Sequence, residues 1–229
     1  MAEQYKHKRL VAIYIGGGTP TSISHELLAV LLKQIQTVFR LQEPEVADGL
    51  VEFTVEAGRP DSITPEKLAV MKEYDVTRIS INPQTMNDET LRTIGRAHNA
   101  AQVKEAFAMA RQAGFDNINM DLIAGLPYED VESFAHSFDD VYALKPEQLQ
   151  LGFLKVLKGS FMQEHQEEYG IVHKAHPPYE VLYTKWISYE DVLRLKGIEE
   201  MVEVYYNSRQ FTNCLLYTSP SPRDPKTSR

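Results

Sequence analysis

VEFTVEAG, residues 51–58, decides the architecture. Val51, Phe53 and Val55 fall on one side of an extended chain and Glu52, Thr54 and Glu56 on the other, because successive strand side chains point to opposite faces. The same parity recurs downstream. Ile79 and Ile81 oppose Arg78, Ser80, Asn82 and Gln84; Ile118, Met120 and Leu122 oppose Asn117, Asn119 and Asp121. Leu149, Leu151 and Phe153 oppose Gln148 and Gln150. Parallel strands covered on both faces read instead as continuous apolar runs, and ordinary (β/α) barrels fill their interior with branched aliphatics. Strands apolar on one face and polar on the other predict helices against the first and a wet, ligand-holding cavity against the second. Leaving those polar groups buried and unpaired would be costly.

The connectors agree. Strand patterns at 9–16, 50–57, 76–83, 115–123 and 147–156 alternate with helical patterns at 24–39, 65–74, 88–96, 100–113 and 130–143. Ser24, Thr64-Pro65 and Asn87-Asp88-Glu89 are helix-start signals, and Gly114 ends a helix before a strand. Repeated βα units imply a parallel sheet, open or closed into a barrel. An antiparallel sheet with one wet face is the competing reading, and helix-length connectors weigh against it. The predicted class is α/β, a partial (β/α) TIM-like barrel.

Bulk properties narrow the function. The 229 residues, 43% hydrophobic and 24% charged, suffice for one sizeable core. A net charge of −8 disfavours a nucleic-acid backbone as partner. No apolar run reaches the roughly 18 residues of a membrane span, and the start MAEQYKHKRL is no secretory signal, so a cytoplasmic protein is expected. The lone cysteine, Cys214, allows neither an internal disulfide nor a thiolate metal site. His173 and His176, beside HPPY, read as loop residues.

Chemistry in α/β barrels gathers at the carboxyl ends of strands. Those ends carry Gly16-Gly17-Gly18-Thr19, then Glu56, Gln84 and Asp121, with Arg96 in TIGRAH able to reach the same mouth. An arginine suits a carboxylate, a glutamate an ammonium, and aspartate with glutamine suit hydroxyls, so the set fits a zwitterion carrying a ribose. Taken singly, the glycines read as a tight turn, the carboxylates as caps or ion pairs and Arg96 as a solvated helix end. The glycine spacing matches neither the dinucleotide fingerprint nor the P-loop.

IYIGGGTPT, EFTVEAGRP, RISINPQTMNDETLRTIGRAH and GFDNINMDLIAGLP resemble the radical S-adenosylmethionine (SAM) proteins of the oxygen-independent coproporphyrinogen III oxidase family. EAGRP and INPQTM are most similar to its coproporphyrinogen dehydrogenase branch, and the resemblance covers about residues 9–127. It implies that Gly17, Gly18 and Thr19 hold the methionine part of SAM, that Glu56 is the family's strand-end glutamate, that Gln84 and Asp121 take the ribose, and that Arg96 takes the carboxylate. It also implies a [4Fe–4S] cluster, an external electron donor and a porphyrinogen substrate. A 5′-deoxyadenosyl radical would take hydrogen from a propionate, and loss of carbon dioxide would leave a vinyl group. Two such events turn coproporphyrinogen III into protoporphyrinogen IX.

The family pattern is interrupted in three places. Its cluster cysteines, C-x3-C-x2-C, follow the first barrel strand and would fall before residue 1. The expectation is therefore a barrel without its first strand and C-terminal part, inactive alone. From about 122 to 213 the chain resembles radical SAM proteins with a cobalamin-binding domain; either two genes are joined within 118–127 or the protein is one divergent chain. The expected units are 1–157, a partial barrel, and 158–213, a helical segment with Val192, Leu195, Ile198, Met201, Val202 and Tyr205 at helical spacing. Residues 214–229 are expected to be disordered, and 214–224 resemble a translated sequencing adapter. Relatives that act as haem chaperones are a second reading. That role needs an axial ligand, and His98 and His173 read as surface residues. A cobalamin-dependent radical enzyme is a third. An aldolase-type barrel would need an inward lysine or metal set that the strands do not offer.

Overall fold

The computed structural model describes residues 10–41, 43 and 49–210. Five parallel strands form one sheet in chain order: β1 (Ala12–Ile15), β2 (Glu52–Gly58), β3 (Arg78–Gln84), β4 (Ile118–Ala124) and β5 (Gln148–Phe153). Between them run α1 (His25–Phe39), α2 (Pro65–Glu73), α3 (Asp88–Thr93), α4 (Ala100–Gln112) and α5 (Val131–Leu144). The α/β reading stands, with every predicted strand and helix of the first 157 residues present and its bounds shifted by a few residues.

Local chemistry explains the boundaries. The Ser24 and Thr64 hydroxyls accept from the N–H groups of Leu27 and Lys67, each at 3.4 Å, and Asn87 accepts from Glu89 and Thr90. Asn99 with Gln102 and Asp130 with Ser133 form reciprocal capping boxes. Phe53, Val55, Ile79, Ile81, Ile118, Met120, Leu122 and Leu149 are buried under the helices. Each is worth about 1.5–3 kcal/mol of burial, an upper bound because unfolded chains already hide part of that surface.

The polar face is divided along its length. In its amino-terminal half Arg78 Nε donates to Asn119 Oδ1 at 3.1 Å, Nη1 to Glu52 Oε2 at 2.9 Å, and Nη2 to Gln148 Oε1. Thr54 Oγ1 donates to the other Glu52 oxygen at 2.8 Å. One guanidinium thus latches β2, β3, β4 and β5 together. The expectation that the whole polar face lines a ligand cavity is corrected: this half is satisfied by its own side chains.

Residues 158–210 depart from the helical expectation. They hold a short helix α6 (Phe161–Glu164), an antiparallel hairpin of β6 (Val172–His173) and β7 (Val181–Tyr183), then α7 (Tyr189–Met201), which runs into a π-helical turn, Val202–Asn207. Strands of two and three residues are too short for periodicity to show. Val192, Leu195 and Val202 are buried as expected, whereas Ile198, Met201 and Tyr205 are exposed. The turn lies along β5, where the Asn207 amide accepts from Leu149 N–H and donates to Leu149 C=O, both at 3.0 Å. At the other end of the sheet Val11 and Tyr14 of the β1 segment are exposed. Cys214 and the 214–229 tail lie outside the described residues.

Candidate functional site

The three glycines serve two different purposes. A Cβ on Gly16 would lie 2.2 Å from Tyr14 Cε1 and 2.9 Å from Glu56 Oε2, so a side chain there would push both of these side chains aside. Gly17 and Gly18 have φ of +82° and +45°, and no heavy atom stands within 4 Å of where their Cβ would sit. They turn the backbone and leave open space above it. Glu56 is aimed at this turn: Oε2 accepts from Gly17 N–H at 3.3 Å and from the Tyr14 hydroxyl at 3.2 Å, and Oε1 accepts from Asn82 Nδ2 at 3.0 Å.

Gln84 ends β3 just after Pro83, where the pairing with β4 shifts register, and it takes the left-handed conformation, φ 66°. Such a backbone is uncommon outside glycine and asparagine and concentrates at functional sites. Its Oε1 accepts from Arg96 Nε at 3.1 Å. Asp121 on β4 has Oδ1 sealed from solvent with no hydrogen-bond partner. Burial pushes the Asp121 carboxyl up to about 6; the Gln84 main chain and the Arg96 guanidinium counter this, and Glu56 adds to it. Burial likewise holds Arg96 below its ordinary value, with Asp121 and Asp61 opposing and Arg59 reinforcing.

Glu56, Gln84, Arg96 and Asp121 are thus linked at the carboxyl ends of β2, β3 and β4, next to Gly17 and Gly18. Thr19 packs against the exit of β2, its Cγ2 2.9 Å from where a Gly58 Cβ would sit. A cavity of about 560 Å³ continues from Gln84 and Asp121 past Gln150, Leu126 and Phe153 to Lys155.

Sequence reasoning missed several neighbours. Asn82 was visible on the polar face by parity but not as a partner of Glu56. His98 is buried, not a surface residue: its side chain is 0% exposed, Nδ1 lies 3.5 Å from Asp61 Oδ1, and neither ring nitrogen has a hydrogen-bond partner. Burial, reinforced by Arg96, lowers its pKa against the nearby Pro83 main chain and Asp61, which favour the charged form from beyond good hydrogen-bond geometry. Arg59 Nε is also sealed and unpartnered. Of the five such side-chain atoms among the described residues, four lie on Arg59, His98 and Asp121 around Arg96. Buried polar atoms are nearly always paired, so this concentration marks a place built for something else. The fifth, Glu129 Oε2, lies behind the site; Glu129 Oε1 accepts from Thr85 and Ser137 and ties the loops after β3 and β4 together.

Comparison with known proteins identifies the fold these ends belong to. The family model described as the radical SAM superfamily matches residues 1–141. The chain belongs to the radical SAM superfamily. A second model, described as a protein of unknown function (DUF4080), matches residues 167–225. The oxygen-independent coproporphyrinogen-III oxidase-like protein HemZ of Bacillus subtilis is 45% identical over 163 residues, 71% of this chain and 32% of that protein. The heme chaperone HemW of the same organism is 41% identical over 138 residues, 60% of this chain and 35% of its own length. Among solved structures, the Escherichia coli coproporphyrinogen III oxidase HemN, a radical SAM enzyme, superposes with a TM-score of 0.61 at 23% identity, covering 85% of this chain and 44% of that one. This radical SAM chain therefore spans about a third of the length of the curated relatives it matches. Among its described residues no helix is long and apolar enough to cross a membrane.

Proposed function

We propose that this chain is the SAM-binding core of an oxygen-independent coproporphyrinogen III oxidase-like radical SAM protein. The observation that carries the reading is the cluster of unpartnered polar atoms around Arg96, Asp121 and the open glycine turn. The residues fit the cofactor. Glu56, already accepting from Gly17 N–H, would take the ammonium; Arg96 would take the carboxylate; Gln84 and Asp121 would take the ribose hydroxyls; Gly17, Gly18 and Thr19 would lie along the methionine backbone. Bound SAM supplies, on one-electron reduction, the hydrogen-abstracting group of this superfamily. The chain's own contribution is to hold the nucleoside beside the 560 Å³ cavity, where the substrate's carbon would lie.

A [4Fe–4S] cluster does not fit these 229 residues in the same way. They contain one cysteine, and among the described residues no group of three His, Cys, Asp or Glu could hold a metal ion. We assign no step to a cluster, and expect this stretch alone to bind SAM without turning it over. The identity to HemZ, an oxygen-independent coproporphyrinogen-III oxidase-like protein, supports oxidation of a porphyrinogen propionate as the reaction this core serves; an external electron donor belongs to the same proposal. The two family matches, 1–141 and 167–225, support separate units at about 1–157 and 158–213.

Titration with SAM tests the assignment. Saturable binding that weakens at least about tenfold in both Glu56→Gln and Asp121→Ala is expected; unchanged affinity in both refutes it. The identity to HemW supports haem transfer as a second reading. His98 is too buried to reach haem in this conformation, so haem binding lost on His98 replacement would favour that reading over ours.

A further inference from the structure

Arg59 belongs to no element of the sequence-derived site, yet the fold fastens it between both halves of that site. It follows Gly58, whose φ of +69° and contact with Thr19 seat the β2 exit against the glycine turn. Thr21 Oγ1 donates to Ala57 C=O and lies 2.6 Å from Ser62 Oγ. Ser62 Oγ in turn donates to Arg59 C=O at 2.7 Å, and Lys67 Nζ ties Thr21 C=O to Ser62 C=O at 2.6 and 3.0 Å. The Arg59 backbone is therefore held on both sides, while its side chain is left without a hydrogen bond. Its Nε is sealed from water, and the nearest acid, Asp61 Oδ1, is 4.0 Å away.

Asp61 Oδ1 lies 4.0 Å from Arg59 Nε and 3.5 Å from His98 Nδ1, and Arg59, Asp61 and Asp121 all bear on the Arg96 charge. A guanidinium whose Nε is closed to water and unpartnered is costly unless an acceptor joins it. We propose that Arg59 is a second binding residue for the carboxylate of the ligand's amino-acid moiety, paired with Arg96 across Asp61. Fork-shaped guanidinium donors match a carboxylate, and the sealed Nε of Arg59 needs an acceptor that the protein does not provide.

The assignment rests on the SAM reading above, and two nucleosides separate their fates. Calorimetric titration of the chain with SAM and with 5′-methylthioadenosine, which lacks the amino-acid carboxylate, is compared for the unaltered protein, Arg59→Ala, Arg59→Lys and Arg96→Ala. Arg59→Ala is expected to weaken SAM by about ten- to a hundredfold, as charge-assisted hydrogen bonds do, and to leave 5′-methylthioadenosine unchanged. Arg59→Lys, keeping charge and stem but not the fork, is expected to fall between. Unchanged SAM affinity in Arg59→Ala, or equal weakening of both nucleosides, overturns the assignment while leaving the SAM reading intact. Failure of both nucleosides to bind the unaltered protein overturns the SAM reading and this assignment together.

Discussion

In the amino-terminal half of the polar face, Arg78, Glu52, Thr54, Asn119 and Gln148 use one another as partners. Further along the same strands, Asp121 keeps Oδ1 without a partner, and Arg59 and His98 beside it keep unpartnered nitrogens. Both layers arise from one alternation of polar and apolar residues. Their protonation differs in sign: burial pushes Glu52 up, but the hydrogen bonds from Thr54 and Arg78 and the Arg78 charge hold it below its ordinary value, whereas Asp121 rises to about 6. A satisfied layer stabilises the sheet, and an unsatisfied one holds polar groups ready for a guest at some expense to the empty fold.

The largest break in this contrast should come from Arg78→Met. It strands the Glu52 carboxylate and two amides, and is expected to lower unfolding stability by about 3 kcal/mol in urea titration. SAM affinity of the folded fraction should be unaffected. Asp121→Asn should do the opposite. Asp121 has a raised pKa, so its ionised form opposes folding as pH rises from 3.8 through about 6. The variant should therefore be more stable than the parent by about 3 kcal/mol well above pH 6, equal to it below pH 3.8, and poor at binding SAM.

Gly17→Ala places a side chain at φ +82°, which should cost about 1 kcal/mol by chemical denaturation. Gly16→Ala should cost less, because the exposed Tyr14 ring can swing away, but it should displace Glu56 and weaken SAM binding. The smallest effect is the acid limb of Glu52. Its lowered pKa adds stability that is present above pH 4.5 and lost as pH falls through the folded value, so Glu52→Gln should flatten the stability profile below pH 4.5. A flat difference across that range would mean that Arg78 does not hold Glu52 ionised.

Alternation in VEFTVEAG and its three successors was enough for the sheet, the buried face and Glu56, Gln84 and Asp121, since parity and strand ends are written in sequence. Arg59 and Asp61 lie just past a strand end, where no period operates, and the bulge at Gly58 that carries them was invisible. His98 looked like a lone surface residue because nothing local signals burial. The polar face looked like a single cavity lining because residue type does not reveal that Arg78 can reach three other strands.

The Asn207 amide, meeting both main-chain groups of Leu149, makes one flank of the sheet blunt while the β1 flank, among the described residues, has no pairing partner. Two such sheets of the described residues joined through β1 would present no further open flank, so edge-to-edge association of these residues would stop at a pair. A sheet open on both flanks would continue to add copies and grow into a fibre.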